Sequence, residues 1–118
     1  MSWLNTNVLS QLQTFLRLTA TRESLISNNI ANVDTPGYQT EDISFEREMR
    51  RAEIQPESPS LTPFIHPVEG LVERPDGNNV NIDRESMLLA QSQLQYTLGV
   101  TVLRDEFKRL LTAINEGS

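Results

Sequence analysis

An apolar helical repeat occupies residues 89–114, which read LAQSQLQYTLGVTVLRDEFKRLLTAI. Its positions are spaced alternately by four and three residues, and all but one are apolar: Leu89, Gln93, Tyr96, Val100, Leu103, Phe107, Leu110 and Ile114. This spacing predicts a long helix with a continuous apolar seam. Asp83 is the expected N-cap and Gly117 is placed to end the helix, so the predicted C-terminal helix covers residues 83–115.

Residues 97–102, TLGVTV, argue against a helix at that point, because β-branched residues and glycine have low helix propensity. The glycine alone costs a helix about 1 kcal/mol. A strand is the alternative for this stretch. The helix is favoured, since the alternating spacing continues beyond it through Leu103, Phe107 and Leu110.

A second repeat predicts a helix over residues 8–33, near the N-terminus. Six of its eight positions are apolar, and the eight are Leu9, Leu12, Leu16, Thr19, Glu23, Ile26, Ile30 and Val33. All six prolines lie within residues 36–75, which leaves both ends of the chain free to form long helices. Both seams are wider than the one contact line of a helical hairpin, so packing is expected to be completed by other chains.

The middle of the chain, residues 34–80, is acidic. It holds ten acidic and four basic residues, which account for the whole net charge of −6. One short helix is expected within it, over residues 43–52, with Asp42 or Ser44 as its cap.

The prolines after that helix predict extended or irregular chain from residue 54 to residue 80. One option within it is a short β-pair between residues 64–65 and residues 71–72. The sequence DGNN at residues 76–79 predicts a tight turn that leads into the second long helix. At 118 residues and 13.4 kDa, the chain is expected to form one domain, residues 1–118.

Composition and motifs argue against several classes of function. An acidic chain lacks the clustered basic residues of a nucleic-acid-binding protein. There is no cysteine, His66 is interpreted as an ordinary loop histidine, and no recognised catalytic or nucleotide-binding motif occurs. We therefore expect no catalytic, metal or cofactor site and no enzyme activity. We also expect neither a transmembrane segment nor a cleaved signal peptide.

Residues 27–38, SNNIANVDTPGY, combine three asparagines with helical apolar spacing. Asparagine is a poor helix former because its side chain competes for backbone hydrogen bonds. The sequence TPGY at residues 35–38 suits a type II turn, with glycine at the position that needs a positive φ. Physical reasoning alone favours a helix stop with polar caps over a binding site.

The same segment resembles the S-x-N-I-A-N-x-x-T-x-G-Y signature of flagellar axial proteins, which are rod, hook and hook-associated subunits. Eight residues fall in register with it: Ser27, Asn29, Ile30, Ala31, Asn32, Thr35, Gly37 and Tyr38. Pro36, between Thr35 and Gly37, is counted with them as a signature residue. The short chain and residues 76–85 are similar to the proximal rod subunits of that family. The resemblance covers residues 8–52 and 76–115.

The resemblance implies a mainly α fold in which the terminal helices pair as an antiparallel α-helical coiled coil. It implies a non-enzymatic building block that the flagellar type III apparatus exports without signal cleavage to the periplasmic rod of the basal body. The implied partners are copies of the chain, other rod subunits, the rod adaptor and, through it, the membrane ring. A soluble helical adaptor or export chaperone of the flagellar secretion system is the alternative.

Overall fold

The computed structural model describes residues 6–54 and 62–117 of the chain. In chain order its elements are α1 (Thr6–Ala31), β1 (Glu41–Ile43), α2 (Phe45–Ile54), β2 (Ile65–Pro67) and α3 (Ile82–Glu116). The predicted mainly α fold, with long terminal helices, a short middle helix and a small β-pair, is confirmed. Residues 55–61, part of the segment predicted to be irregular, lie outside the described residues.

The two long helices pack against each other in opposite directions. Asn29, near the end of α1, contacts Glu85 in the first turn of α3. Earlier in α1, Phe15 and Leu16 lie against Gly99, in the middle of α3. Because α3 has 35 residues and α1 has 26, the C-terminal end of α3 continues past the described start of α1. The fold is accordingly long and narrow, with extents of 67 × 26 × 18 Å.

Residues 97–102 belong to the unbroken helix α3, so the strand alternative is wrong. Gly99 is buried where α1 crosses closest, and a Cβ atom there would lie 2.8 Å from Leu16 Cδ2. The hydroxyl of Thr101 donates to the carbonyl of Thr97, which satisfies it within the helix. Close helix packing at the glycine thus offsets the low intrinsic propensity of the stretch.

The N-cap of α3 is Asn81, and the prediction of Asp83 was wrong. The Asn81 backbone is extended, and its side-chain oxygen accepts a hydrogen bond from the Arg84 N–H at 3.0 Å. Asp83 lies inside the first turn, where its negative charge favours the helix dipole but cannot cap. At the other end Gly117 is the C-cap as predicted, and its N–H donates to the Ala113 carbonyl.

Two other helix boundaries differ from the prediction. Helix α1 covers Thr6–Ala31, so it begins and ends two residues before the expected residues 8 and 33. Helix α2 begins at Phe45, since Ile43 belongs to β1 and Ser44 takes the position before the helix. The Ser44 hydroxyl lies 3.0 Å from His66 Nε2, so the chain's single histidine connects β2 to the residue that precedes α2.

The β-pair joins β1 to β2 in antiparallel register, with Ile43 opposite Ile65. Residues 71–72 form no strand, so the expected partner was wrong. The reason is that Asp42 pairs with Arg22 of α1 at 2.9 Å and the Glu41 N–H and carbonyl both bond Asn29 of α1, which leaves only the opposite edge of β1 for β2. The Val68 N–H points toward the β1 side of the pair, where it donates to the carbonyl of Thr40, the residue before β1. Because backbone groups alternate along a strand, the backbone nitrogen of Pro67 points away from β1.

The interior holds more buried polar residues than buried apolar ones. The buried apolar residues of the described chain are Leu18, Ile26, Ile43 and Val80. The buried polar and charged residues are Thr19, Asn29, Thr40, Asp42, Glu48, Asn78, Asn79, Glu85 and Ser92. None of the described helices is long and apolar enough to cross a membrane.

Candidate functional site

Five of the nine buried polar residues lie where α1 ends and α3 begins, between residues 27–41 and residues 74–85: Asn29, Thr40, Asn78, Asn79 and Glu85. We call this region the helix junction. It brings the asparagine-rich signature segment against the DGNN turn, two stretches about 40 residues apart in the chain. Each buried polar atom there needs a partner, because an unpaired one costs about 1–3 kcal/mol.

Asn29 is the centre of the junction and makes four hydrogen bonds. Its amide nitrogen donates to the Glu41 carbonyl at 2.9 Å and to Glu85 Oε1 at 2.6 Å. Its amide oxygen accepts from the Glu41 N–H at 3.1 Å and from the Tyr38 hydroxyl at 2.8 Å. Two donors and two acceptor sites are therefore all used, which explains an asparagine at a buried helical position.

Glu85 is fully buried, and both of its carboxylate oxygens are bonded. One accepts from Asn29, and the other pairs with Arg84 Nη1 at 2.6 Å. Arg84 remains a quarter exposed, so the ion pair reaches from the interior to solvent. A buried carboxylate is tolerated only when it is paired and hydrogen-bonded, and this arrangement meets both conditions.

Tyr38 closes the other side of the Asn29 amide. Its hydroxyl donates to Asn29 and accepts from the Asn28 amide nitrogen at 3.1 Å. Burial raises the pKa of the Tyr38 phenol above 10.0, and the negative charges of Glu41 and Glu85 raise it further, while the Asn28 bond acts in the opposite direction. The phenol is therefore held in its neutral form, which is the form that can donate to Asn29.

Asn78 ties the turn before α3 to the end of α1. Its amide nitrogen donates to the carbonyls of Asn32 and Thr35, at 2.9 and 2.8 Å. Its amide oxygen accepts from the Val80 N–H at 2.8 Å. Asn32 in turn bonds the Thr35 hydroxyl at 3.0 Å, so the end of α1 is bonded on both sides.

Asn79 makes the matching contact with the chain that enters β1. Its amide oxygen accepts from the N–H and the hydroxyl of Thr40, at 2.7 and 2.8 Å. Its amide nitrogen donates to the Gln39 side chain at 2.9 Å. Asn78 therefore bonds the residues that follow α1, and Asn79 bonds the residues that precede β1.

Arg74 adds a third tie between the two sides. Its guanidinium donates to the Val33 carbonyl and, at 3.1 Å, to the Val80 carbonyl. Its backbone N–H donates to the Asn78 carbonyl at 2.8 Å, which helps to shape the turn. Carbonyl groups just past α1 have no helical partner, and Arg74 supplies one.

Gly37 and Gly77 let the two turns approach each other at the backbone. Both have a positive φ, of 75° and 86°. The Gly37 N–H donates to the Asp76 carbonyl at 2.9 Å, and a Cβ on Gly77 would lie 3.3 Å from the Gly37 Cα. The Tyr38 N–H bonds the Thr35 carbonyl, as the type II turn expected at residues 35–38 requires.

The signature residues named from sequence divide into two groups. Five of them make the hydrogen bonds described for the junction, through side chain or backbone: Asn29, Asn32, Thr35, Gly37 and Tyr38. The other four lie apart from these bonds, and of them Ile30 is half-buried while Ser27, Ala31 and Pro36 are exposed. The signature thus contains both an inward and an outward surface.

The seam residues of α1 face the inside of the fold. Ile26 is buried, and five others are half-buried: Leu9, Leu12, Leu16, Ile30 and Val33. On α3 four seam residues are half-buried: Leu89, Val100, Leu103 and Leu110. The remaining three keep about half of their surface exposed: Tyr96 (41%), Phe107 (48%) and Ile114 (51%).

The buried line of α3 runs through other residues, at a spacing of seven: Glu85, Ser92 and Gly99. These are small or polar, so an apolar pattern could not reveal them. The apolar repeat predicted from the sequence therefore lies beside this buried line, on the flank of the contact with α1. Small residues on the contact line let the helices approach closely and leave the larger apolar ones beside it.

Sequence reasoning also missed Arg74, Asn78, Asn79 and Glu85 as junction residues. One signal was available, the two consecutive asparagines after the glycine of the DGNN turn. The described residues hold no group of three or more His, Cys, Asp or Glu side chains placed to bind a metal ion. The arrangement is suited to fastening two helices together.

The family model described as flagella basal body rod protein matches residues 16–39, which contain the second half of α1 and the signature segment. A Salmonella typhimurium protein named flagellar basal body rod protein FlgB is 30% identical, and the alignment covers 90% of this chain and 91% of the relative. The chain belongs to the FlgB family of flagellar basal-body rod proteins.

Other FlgB proteins align over a similar span. The Yersinia enterocolitica protein is 33% identical over 89% of this chain and 91% of its own length. The Borrelia hermsii protein is 30% identical over 80% of this chain and 85% of its own length. As an FlgB-family member the chain is a structural subunit of the basal-body rod, not an enzyme, and assembles with other rod components. None of these relatives supports the alternative of an adaptor or chaperone.

Proposed function

We propose that this FlgB-family subunit occupies the proximal rod, where it connects the membrane ring to the distal rod and hook and transmits torque. The proposal is supported by the extent of the similarity, which reaches both terminal helices. It is also supported by the helix junction, because a subunit under torque needs its helices held in one register.

The proposed neighbours are copies of the chain, other rod subunits, the rod adaptor and, through it, the membrane ring. We further propose that the flagellar type III apparatus exports the chain to the periplasm without signal cleavage. The whole chain, residues 1–118, would then act as one rod-type unit. The exposed flank of α3 supports a role in assembly, since apolar side chains left uncovered in one chain can be covered by neighbours.

The signature residues would serve assembly through the junction. Asn29, Tyr38 and Glu85 fix the angle and register at which α1 meets α3. The flank residues Tyr96 and Phe107 are then presented at fixed positions on a rigid helix pair. The single observation that carries the proposal is this combination of a fully bonded polar junction and an uncovered apolar flank.

The test is to locate the chain in intact basal bodies. Basal bodies are purified from cells that express the full chain with a small C-terminal tag, and the tag is located by gold labelling and electron cryomicroscopy. We expect label at the base of the rod, next to the membrane ring. Label along the distal rod or hook, or recovery of the chain only in the soluble fraction, would refute the proposal.

A double variant tests the role of the signature. Cells that carry Asn29→Leu and Asn32→Leu together should make the chain but should incorporate little of it into basal bodies. The exposed pair Glu46→Gln and Arg50→Gln on α2 is the control, since these side chains lie outside the junction and away from the exposed faces of α1 and α3. Normal motility with the double leucine variant would show that the amides are dispensable.

A further inference from the structure

Helix α3 carries a second row of apolar side chains, away from its contact with α1. We call it the outer row: Met87, Leu94, Leu98 and Val102, which are 63%, 61%, 55% and 45% exposed. At 3.6 residues per turn the row is rotated by roughly 60–160° from the buried line of Ser92 and Gly99. It lies on the opposite side of that line from Tyr96 and Phe107, so it is a separate surface.

The outer row lies in a stretch of α3 without any charge. Residues 86–103 contain no Asp, Glu, Lys or Arg, although a helix surface in contact with water usually carries them. Depletion of charge and enrichment in large apolar side chains are typical of the centre of a protein interface. This part of α3 is thus suited to a partner that also brings no charge.

A second copy of the chain offers a surface of that kind. Among residues 7–31 of α1, every fully exposed residue is uncharged, and the charged residues Arg17, Arg22 and Glu23 are half-buried. The exposed residues are Asn7, Gln13, Ala20, Ser24, Ser27, Asn28 and Ala31. By contrast, the exposed residues of α2 include Arg47, and those of α3 outside the uncharged stretch include Arg104. Apolar side chains packed against such groups would bury a charge without a partner.

We propose that the outer row of α3 packs against the outer face of α1 of a second copy in the assembled rod. The contact joins two different surfaces, so each copy can use its own α1 and its own α3 and the assembly can continue. A contact of the outer row with itself would close as a dimer instead. The inference rests on the proposed function, because only a polymerising subunit needs such a face covered by its neighbour.

The size of the row shows when the contact forms. Four side chains that are each about half exposed offer a few hundred Å² of apolar surface, less than the roughly 800 Å² per partner of a stable pair. The contact is therefore too small to hold a free dimer and forms only together with other contacts in the rod. The free protein should not dimerise through this surface.

The first experiment compares two aspartate variants of the tagged full chain in cells that assemble basal bodies. Leu98→Asp places a charge in the outer row, and Arg104→Asp places one at an exposed position outside it. We expect Leu98→Asp to reduce incorporation by about tenfold or more, because the charge must be buried, and Arg104→Asp to stay close to wild type. Circular dichroism of both isolated variants should match wild type. Wild-type incorporation of Leu98→Asp would overturn the proposal.

The second experiment identifies the occupant by disulfide trapping, which is clean because the chain has no cysteine. Cells express one tagged copy with Leu98→Cys and a differently tagged copy with Ser24→Cys, and their basal bodies are mildly oxidised. We expect a disulfide between the two tags, with Glu46→Cys in place of Ser24→Cys as the negative control. Leu94→Cys replaces Leu98→Cys if the latter is not incorporated.

The outcomes separate this proposal from the proposed function. Two results overturn the proposed contact but leave the rod assignment intact. One is a disulfide between two Leu98→Cys copies. The other is the lack of a disulfide between Leu98→Cys and Ser24→Cys when both copies are in the basal body. A bifunctional reagent that joins Leu98→Cys to a different protein also overturns it. If even the wild-type tagged chain is missing from basal bodies, the proposed function itself fails.

Discussion

The Asn29 amide nitrogen lies 2.6 Å from a carboxylate oxygen of Glu85, although 56 positions separate the two residues in the chain. Both side chains are almost completely buried. One is near the end of α1 and the other is in the first turn of α3, so the contact sets the register between the two long helices. Any slip of one helix along the other would break this bond and leave one buried oxygen of Glu85 without a partner.

Asn29→Leu should therefore be much more harmful than Asn32→Leu. The first change removes four hydrogen bonds and leaves Glu85 with an unpaired oxygen, at an expected loss of ~3 kcal/mol in the free energy of unfolding. Asn32 is only half-buried and bonds local partners, so its loss should be about 1 kcal/mol. Urea unfolding followed by circular dichroism measures both. Equal losses would contradict the central role of Asn29.

Gly77→Ala should destabilise the chain more than Gly70→Ala. Both glycines have a positive φ, which costs a residue with a Cβ about 1–2 kcal/mol. Only at Gly77 would the new methyl also press on the backbone of Gly37, at 3.3 Å, whereas nothing lies within 4 Å of it at Gly70. Thermal unfolding of the two variants should rank them in that order. The reverse order would show that the two turns do not depend on close approach.

Gly99 should tolerate alanine but not valine. Alanine gains about 1 kcal/mol of helix propensity, and the 2.8 Å overlap is with Leu16 Cδ2, the mobile end of a side chain that can move aside. We expect a net change close to zero. The Cβ of either residue also lies 3.2 Å from the Phe15 ring, and the two further methyl groups of valine have no room beside it, so valine should cost about 1–3 kcal/mol. Denaturation midpoints of the two variants test this, and a harmless valine would mean that α1 and α3 pack less closely.

Tyr38 should ionise above pH 10. The chain has two tyrosines, so a Tyr96→Phe background leaves Tyr38 as the only phenol in an absorbance titration. Because burial and the neighbouring carboxylates raise the pKa in the folded state, the phenol contributes stability that is fully present below pH 10 and is lost as the pH rises through the folded-state pKa. A titration midpoint at or below 10 in the folded protein would refute this.

Phe107→Asp should affect assembly more than folding. Phe107 is 48% exposed in the single chain, so its replacement should cost folding only about 1–2 kcal/mol. Incorporation into basal bodies should fall much further if a neighbour covers the ring. Arg104→Asp, at an exposed position, should change stability by less than about 0.5 kcal/mol. Quantitative immunoblots of purified basal bodies compare the two. Equal incorporation of both variants would mean that the flank of α3 stays uncovered.

Periodicity in the sequence was sufficient to predict the two long helices, because each spacing of three and four extends over more than 20 residues. It was not sufficient to predict which side of α3 meets α1. The contact line includes Ser92 and Gly99, and a pattern of apolar residues cannot mark a line of small ones. The helix at residues 97–102 was predicted from the spacing that continues beyond it. What the sequence did not contain is the tertiary contact of Gly99 with Leu16, which offsets the low helix propensity there.

The junction was only half accessible from sequence. The signature segment drew attention to Asn29 and Tyr38, since asparagines are unexpected within a helix. Their partner Glu85 had the composition of an ordinary first-turn acidic residue, and nothing local distinguishes a solvated glutamate from a buried one. The same limit explains why residues 71–72 were wrongly expected to pair with β2. The true partner, β1, is held on α1 by the ion pair of Asp42 with Arg22, and these two residues are 20 positions apart in the chain.

The proline on the outer side of β2 has a consequence for aggregation. Pro67 has no N–H to donate, so a foreign strand that approaches this edge finds Ile65 as the one outward donor in β2. The other edge of the sheet lies on α1 and is closed. Strand-by-strand growth into cross-β fibrils therefore has little to start from on this sheet. Association of copies through this sheet is thereby disfavoured.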